Sequence, residues 1–103
     1  MSAGIDITIP YWGDPSYMKE AVDSVLRQTS PHWRLSVIDD AYPDPEIGRW
    51  LSSLDDPRIS YQRKPENQGI IENFRSCLRA ARYPLVNIMG ADDRLLPTFV
   101  DSI

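Results

Sequence analysis

Short runs of apolar residues alternate with helical patterns along this chain, and this alternation restricts the fold more than any other feature. Four runs have the length and the β-branched content of strands, at residues 5–9, 33–38, 58–62 and 85–89. Patterns with apolar residues three and four positions apart separate them, as on one face of a helix. Strands separated by helices in this way form mostly parallel sheets with helices on both faces. The sequence therefore predicts an α/β fold with the element order β-α-β-α-β-α-β.

The helical patterns predict three helices between the strands. Asp14 and Pro15 are suited to the N-cap and the first turn of the helix predicted at residues 17–26. Leu95 onward predicts the start of a fourth helix, with Pro97 in its first turn. The second helix is marked by Ile47, Trp50, Leu51 and Leu54. The apolar face of the third comprises Ile70, Ile71, Phe74, Cys77, Leu78 and Ala81.

Composition and charge exclude several classes of protein. The 103 residues favour one domain, residues 1–103. The formal net charge is -4 and the longest basic run is Arg63-Lys64, so we expect no nucleic-acid partner. The single Cys77 excludes an internal disulfide and is expected to be buried and structural. No stretch approaches the roughly 18 apolar residues of a membrane span, and no signal peptide is evident. We expect a cytoplasmic protein, with peripheral attachment to the inner face of the membrane as an option.

Polar and aromatic residues follow the predicted strands, at the edge where an open α/β sheet binds its ligands. Paired carboxylates suit Mg²⁺ or Mn²⁺, and such an ion keeps positions open for phosphate oxygens. An aromatic ring offers a surface for a base, and an Asp can accept its N–H. The pattern therefore favours a nucleoside diphosphate bound with a divalent cation. The residues concerned are Pro10, Tyr11 and Trp12 after the first strand, Asp39 and Asp40 after the second, residues 65–69 after the third, and residues 90–93 after the fourth.

Each of these groups also has a structural explanation. Asp92 and Asp93 are suited to capping the next helix, where a carboxylate is favoured by the helix dipole. The acidic pair at residues 39–40 can hold the loop that follows, and residues 67–69 can form a turn before the third helix. The aromatic residues 11–12 can pack beneath a loop. The convergence of all four groups at one edge is what favours a ligand site.

Five segments of the chain resemble, in the same order, those of family-2 glycosyltransferases of the GT-A fold. The resemblance covers nearly the whole chain. It implies a Rossmann-like half of a GT-A fold, the N-terminal portion that binds the sugar nucleotide in an inverting, cation-dependent enzyme. The segments are ITIPYW, YMKEAVDSVLRQT, WRLSVIDDAYPDPE, ENQGIIENFRSCLRAAR and PLVNIMGADDRLLP.

The resemblance also implies roles for individual residues. Tyr11, beside Pro10, would flank the uracil or other base, and Asp39 would accept a hydrogen bond from it. Asp92 would hold the ribose or share the metal. Asp93 would be the principal protein ligand of Mg²⁺ or Mn²⁺ on the diphosphate.

The wall near the donor would include Asn67 and Asn73. The chain departs from the family pattern at Gly90, where many members have a third acid, which leaves fewer carboxylates for the metal. It also departs at Trp12, where many members have a polar residue after the tyrosine. The rim of the base pocket is therefore expected to differ.

The family also implies partners and a missing half. The donor would be a nucleotide-diphosphate sugar, with a UDP-sugar preferred, and the acceptor a glycan or a lipid-linked glycan. The general base is expected beyond Ile103, so the fragment alone would be inactive, and its exposed sheet edge would allow self-association.

A non-catalytic module that binds nucleotide or sugar is the alternative to the enzyme fragment. Two other classes with strand–helix alternation fit poorly. A phosphoacceptor domain needs acids after its first strand, where this chain has Ile9-Pro10. A dinucleotide-dependent oxidoreductase needs a glycine-rich turn, and the turn PYWGDPS has one glycine.

Overall fold

Four parallel strands form one sheet in the computed structural model, which describes residues 4–83, 85–91 and 93–102. The strand order is β3-β2-β1-β4, so the order reverses between β1 and β4. The α/β architecture predicted from the sequence is confirmed. No helix in the described part of the chain has the length and apolar character needed to cross a membrane. The elements are β1 (Ile5–Tyr11), α1 (Pro15–Leu26), β2 (Trp33–Asp39), α2 (Glu46–Leu54), β3 (Ile59–Arg63), α3 (Ile70–Ala80) and β4 (Leu85–Ile88).

β1 continues through Pro10, where the sequence predicted its end. Thr8 accepts a hydrogen bond from Met89 on the β4 side (2.9 Å), and Tyr11 accepts one from Asp40 on the β2 side (3.1 Å). Backbone groups alternate in direction along a strand, so Pro10, two residues after Thr8, faces the β4 side. Pairing with β4 extends only as far as Thr8. The missing N–H of Pro10 therefore removes no hydrogen bond from the sheet.

α1 begins as the sequence predicted. Asp14 is the N-cap, and one of its carboxylate oxygens accepts a hydrogen bond from the backbone N–H of Ser16 (2.8 Å). Pro15 is the first helical residue, where its missing N–H and fixed φ are tolerated. Hydrogen bonds from the side chain and backbone of Ser16 lower the pKa of Asp14. The first turn of α1 is thereby fixed beside the carboxyl end of β1.

The main core lies between one face of the sheet and the helices α1 and α2. Alternate residues of β1 and β2 point to this face, among them Ile7 and Leu35, which are fully buried. Full burial of an aliphatic side chain contributes about 1.5–3 kcal/mol relative to its exposure. The two helices contribute Met18, Ala21, Val22, Val25, Ile47 and Leu51 to this core.

α3 covers the opposite face of the sheet, and the residues that it buries are Asn73 and Cys77. The helical pattern predicted the span of α3 and the burial of Cys77, but not the exposure of its large apolar residues. The sheet beneath α3 is polar, with Thr8, Ser36 and Ser60 side by side in the register. A helix on this face therefore buries its small and polar residues. The exposed residues are Ile70, Ile71, Phe74 and Leu78.

The predicted fourth helix is wrong, because residues 97–102 form consecutive turns. The buried side chain of Gln28 accounts for this difference. Its Nε2 donates to the carbonyl of Leu96 (2.7 Å), and its Oε1 accepts from the N–H of Val100 (2.9 Å). In an α-helix these two backbone groups would bond to each other. Gln28 thus forms hydrogen bonds with both backbone groups and holds residues 96–100 against the end of α1.

Candidate functional site

Two neighbouring cavities open at the carboxyl end of the sheet and share Pro10, Trp12 and Ile70 as lining residues. The larger, of about 480 Å³, reaches from the end of β1 to the end of β4, where the strand order reverses. That position is the usual ligand site of an open α/β sheet. Gly13, Asp14, Tyr17, Gly90 and Ala91 also line the larger cavity. The smaller, of about 200 Å³, is further lined by Asp40, Asn67, Gly69 and Asn73.

Trp12 is an accessible aromatic residue at the boundary of the two cavities. Its side chain is 50% exposed, lines both cavities and makes an edge contact with Tyr42, with the ring centroids 5.0 Å apart. Tyr11, which the sequence assigned to the base, is fully buried, and its hydroxyl donates to the carbonyl of Gly13 (2.8 Å). Burial and the carboxylate of Asp39 raise the pKa of Tyr11. Tyr11 has no exposed ring face and offers no surface for stacking, whereas Trp12 offers one beside both cavities.

The alternation of side chains along β1 distinguishes Tyr11 from Trp12. Residues 5, 7 and 9 of β1 are apolar and buried, and Tyr11 follows in the same phase. Successive side chains of a strand point to opposite faces, so Tyr11 continues the buried row. Trp12 comes directly after the strand ends and is free of this constraint. The sequence analysis placed Trp12 at this edge, but it ended the strand at Ile9 and so had no reason to choose Trp12 over Tyr11 for the base.

Asp39, which was predicted to bind the base, is buried and accepts hydrogen bonds from neighbouring residues of the protein. Its Oδ1 accepts a hydrogen bond from the N–H of Tyr42 (2.9 Å), and its Oδ2 accepts one from the hydroxyl of Tyr61 (2.5 Å). Desolvation and the bond to Asp39 raise the pKa of Tyr61, so that its hydroxyl remains a donor. Both oxygens of Asp39 thus accept hydrogen bonds within the protein, and its contact with a base stays a prediction.

Asp40 lines the smaller cavity and organises the turn that precedes α3. Its two carboxylate oxygens accept hydrogen bonds from the N–H groups of Gln68 (2.8 Å) and Gly69 (3.0 Å). Gly69 has a φ of 91°, which glycine adopts without strain. Asn67 also accepts a hydrogen bond from Gly69 (3.1 Å) and lies exposed at the cavity wall. The buried Lys64 lies with its Nζ 4.0 Å from Asp40 and compensates the carboxylate charge.

Asn73 reaches the smaller cavity from the first turns of α3. Its side chain is buried, and its Nδ2 donates to the carbonyl of Ile38 (2.9 Å) at the end of β2. Its Oδ1 is also buried and has no hydrogen-bond partner among the described residues. Asn67 and Asn73, which the sequence assigned to the donor wall, thus line the same cavity.

Asp93 lies exposed in the turn that follows β4. Its Oδ2 accepts a hydrogen bond from the N–H of Gly90 (3.0 Å), and its own N–H donates to the carbonyl of Gly90 (3.0 Å). Asp92, the second predicted metal ligand, lies outside the described residues. Across residues 4–83, 85–91 and 93–102, no group of three or more His, Cys, Asp or Glu side chains is arranged to hold a metal ion. The metal role of Asp93 therefore stays a prediction.

Comparison of the sequence with known families gives a match over nearly the whole chain. The profile described as Glycosyl transferase family 2 matches residues 6–103. An Escherichia coli protein, WcaA, provisionally named a colanic acid biosynthesis glycosyl transferase, is 28% identical over 94 residues, which are 90% of this chain and 34% of that protein. The chain spans 11% to 36% of the lengths of the curated relatives that it matches.

Comparison with solved structures shows the same fold in S. aureus TarS and in a mannosyltransferase. S. aureus TarS 1-349 in complex with UDP has a TM-score of 0.86 at 17% identity, over 96% of this chain and 30% of that one. The mannosyltransferase PcManGT from Pyrobaculum calidifontis, in complex with GDP-Man and Mn²⁺, has a TM-score of 0.76 at 22% identity. It covers 87% of this chain, which in turn spans 28% of that protein. At these identities the similarity establishes the fold, which is that of the GT-A glycosyltransferases.

Proposed function

We propose that this chain, which belongs to glycosyltransferase family 2, forms the part of such an enzyme that binds the nucleotide-diphosphate sugar. The observation that carries the proposal is the pair of adjoining cavities at the carboxyl ends of β1, β2 and β4, where the strand order reverses. The complexes of fold relatives with UDP and with GDP-Man support a nucleotide sugar as the ligand. A UDP-sugar remains the preferred donor.

The base occupies the smaller cavity and stacks on Trp12, while the diphosphate and sugar occupy the larger one. The exposed ring of Trp12 at the boundary of the two cavities supports this division. Together the two cavities, of about 200 Å³ and about 480 Å³, lie in the range of sites for small-molecule ligands, and the larger has more room for the diphosphate and sugar. Pro10 lines both cavities, and Asn67 and Asn73 belong to the wall of the smaller one.

Tyr11 and Asp39 position this ring rather than contact the base. Asp39 accepts the N–H of Tyr42, and the ring of Tyr42 contacts both Tyr11 (5.4 Å) and Trp12 (5.0 Å) between centroids. The buried carboxylate and phenol thereby fix the aromatic residue against which the edge of Trp12 rests. This assignment replaces the direct contacts that the family resemblance implied for the two residues.

A divalent cation, Mg²⁺ or Mn²⁺, would be held by Asp93 together with Asp92. Carboxylate oxygens are the ligands that both ions prefer, and the turn at Gly90 uses Oδ2 of Asp93 and leaves Oδ1 for the ion. The net charge of -4 supports a requirement for a cation, because an acidic protein otherwise repels a diphosphate. When bound, the ion supplies positive charge to the departing diphosphate.

The sugar is transferred with inversion to the hydroxyl of a glycan or lipid-linked acceptor. Such a reaction needs a general base to take the acceptor proton. The described residues serve to bind and orient the donor, and we place the base in the polypeptide beyond Ile103 that longer family members have. This chain alone is therefore expected to bind donor without transferring sugar. The unpaired edge of β4 would also support self-association.

The test is calorimetric titration of the chain with UDP, with and without Mn²⁺. We expect binding that weakens at least about tenfold without the ion, in line with the loss of one charge-assisted contact. Asp93→Asn keeps an oxygen that can accept from Gly90 but loses the charge, so it should remove the Mn²⁺ dependence. Asp55→Asn, at an exposed carboxylate after α2, is the matched control and should retain it. Absence of UDP binding in both conditions would contradict the proposal. Binding that is indifferent to Mn²⁺ would favour a non-catalytic nucleotide-binding module.

A further inference from the structure

The side of α3 next to its sheet contact presents an apolar surface to solvent. Its four large apolar residues are between 46% and 81% exposed. Phe74 and Leu78 each follow one of the two buried residues of the helix, so they lie about 100° around the helix axis from the side that meets the sheet. Exposed apolar residues grouped in this way indicate an interaction site, whereas scattered ones are ordinary. They form an open groove of about 380 Å³, here called the α3 groove, which is lined by Ile70, Ile71, Phe74, Arg75 and Leu78.

Positive charge surrounds the α3 groove, although the whole protein is acidic. Residues 70–83 contain Arg75, Arg79, Arg82 and one acid, Glu72, and so carry a net charge of +2, whereas the whole chain carries -4. The side chains of Arg75 and Arg79 are 65% and 64% exposed and lie 3.7 Å and 2.9 Å from Glu72. Arg82, just after the helix, is also exposed. The surface of α3 is therefore apolar and basic at once.

This charge distinguishes between the partners that an apolar groove can take. A second copy seated symmetrically on the same groove would bring like charges together, because a two-fold contact sets the same patch against itself. A suitable partner is apolar below its surface and negatively charged at its surface. A bilayer that contains anionic lipids has both properties. The long side chains of Arg75 and Arg79 can reach its phosphates while their neighbours contact the acyl chains.

We propose that the α3 groove and the arginines around it dock this protein on the surface of an anionic lipid bilayer. Phe74 and Leu78 enter the boundary between headgroups and acyl chains, as in an amphipathic helix that lies in the plane of the membrane. Ile70 lines the α3 groove and also both cavities at the carboxyl end of the sheet. Docking therefore holds the candidate site beside the lipid surface. It requires no nucleotide, so it and the proposed function can fail separately.

The experiment is co-sedimentation of the chain with vesicles of phosphatidylcholine, alone or mixed equally with phosphatidylglycerol. At physiological ionic strength the screening length is about 8 Å, so acidic groups on distant faces contribute little. The mixed vesicles should bind the chain about tenfold or more tightly, because each arginine near an anionic surface contributes about fivefold. Raising the salt concentration should reduce this preference.

Variants of α3 test whether this surface makes the contact. Phe74→Ser and Leu78→Ser should each weaken binding to the mixed vesicles about fivefold, since part of the apolar burial is lost. Arg75→Gln combined with Arg82→Gln should remove most of the preference for phosphatidylglycerol. Circular dichroism verifies that each variant is folded.

Two exposed residues away from α3 are matched controls. Leu96 is 76% exposed in the segment after β4, and Arg49 is exposed on α2, which covers the opposite face of the sheet. Leu96→Ser and Arg49→Gln should leave vesicle binding within about twofold of the wild type, because neither substitution changes the α3 groove.

Several outcomes would overturn the inference. Vesicle binding that survives all the α3 substitutions would place the membrane contact elsewhere on the chain. If the chain binds neither kind of vesicle, sedimentation velocity identifies the other occupant. A dimer that Phe74→Ser dissociates would assign the α3 groove to a second copy, and a monomer would leave it to further polypeptide. Each of these results contradicts docking on lipid, whereas the titration with UDP tests the proposed function independently.

Discussion

The two faces of the sheet differ in chemistry, although the same strands build both. The face under α1 and α2 is a continuous apolar core in which residues such as Leu35 and Val37 are fully buried. The face under α3 carries a row of hydroxyl side chains, and the helix exposes most of its large apolar residues. Within the described part of the chain, the buried side-chain atoms without hydrogen-bond partners are Thr8 Oγ1, Lys64 Nζ and Asn73 Oδ1.

On the proposed function, stability and recognition are separated across the sheet. A closed apolar core supplies the free energy of folding, about 25 cal/mol for each Å² of apolar surface that it buries. Buried polar groups left without partners oppose folding unless water or a ligand bonds to them. Asn73 and Asp40 both belong to the smaller cavity on the α3 side. The outer residues of α3 remain accessible to further polypeptide.

The largest effect is expected from truncation of the core beneath α1 and α2. Leu35→Ala should lower the free energy of unfolding by about 2–5 kcal/mol, because a fully buried side chain leaves a cavity. Leu78→Ala, on the outer side of α3 where the side chain is 50% exposed, should change it by less than about 0.5 kcal/mol. Urea unfolding followed by circular dichroism measures both. Equal losses would show that the two faces contribute alike.

The next effect concerns how firmly α3 packs on the polar face of the sheet. The reactivity of the buried Cys77 reports on this packing. Burial raises the pKa of this thiol to about 11 from an ordinary value of 9.0. The thiolate is the reactive form, so at pH 8 alkylation by iodoacetamide should be about 100-fold slower in the folded chain than in urea. The unfolded thiol ionises first, so this group should also reduce stability as the pH rises above 9. Alkylation rates within tenfold of each other would mean that α3 separates readily from the sheet.

A smaller effect is expected at the accessible aromatic ring. Trp12→Ala should weaken UDP binding about 5- to 150-fold, because stacking of a base on an aromatic side chain contributes about 1–3 kcal/mol. Trp50→Ala is the matched control, since Trp50 lies on α2 and packs against the core of the other face. It should destabilise the fold and leave UDP affinity unchanged when measured calorimetrically on folded protein. Loss of affinity in the Trp50 variant alone would reverse the assignment of the two faces.

The smallest effect is expected from the contact that holds residues 96–100. Gln28→Leu removes the bonds to Ser24, Leu96 and Val100 and should lower the free energy of unfolding by about 1.5–2 kcal/mol, near the lower limit for three ordinary hydrogen bonds. Hydrogen exchange at the Val100 amide should become faster, while that at Cys77 in α3 stays unchanged. Unchanged exchange at Val100 would show that other contacts hold this segment.

The spans of most elements could be predicted from the sequence because they depend on local patterns. The apolar periodicity of α1 and α2 gave their positions and their buried sides, and Asp14 gave the start of α1. The buried side of α3 depends instead on the chemistry of the sheet beneath it. Asn73 is buried because the carbonyl of Ile38, 35 residues away, accepts its NH₂ group. A periodicity taken from α3 alone contains no such information.

The sequence predicted the edge of the sheet at which the candidate site lies, but not which side chains of that edge line the cavities. Strand ends converge in any parallel sheet, so residues after β1, β2 and β4 were expected to meet. Which carboxylate of the pair at residues 39–40 lines the cavity depends on distant donors. Asp39 is bonded to the hydroxyl of Tyr61, 22 residues later, whereas Asp40 is bonded to the turn before α3 and lines the cavity. Contacts of this kind follow from the packed structure alone.

The most direct measurement is a crystal structure of the chain with UDP and Mn²⁺. We predict that the uracil ring lies in the smaller cavity between Trp12 and Asn73, with the diphosphate in the larger cavity and the ion on Asp93. A nucleotide bound on the α1 and α2 side of the sheet, or an ion held by residues far from Asp93, would contradict it.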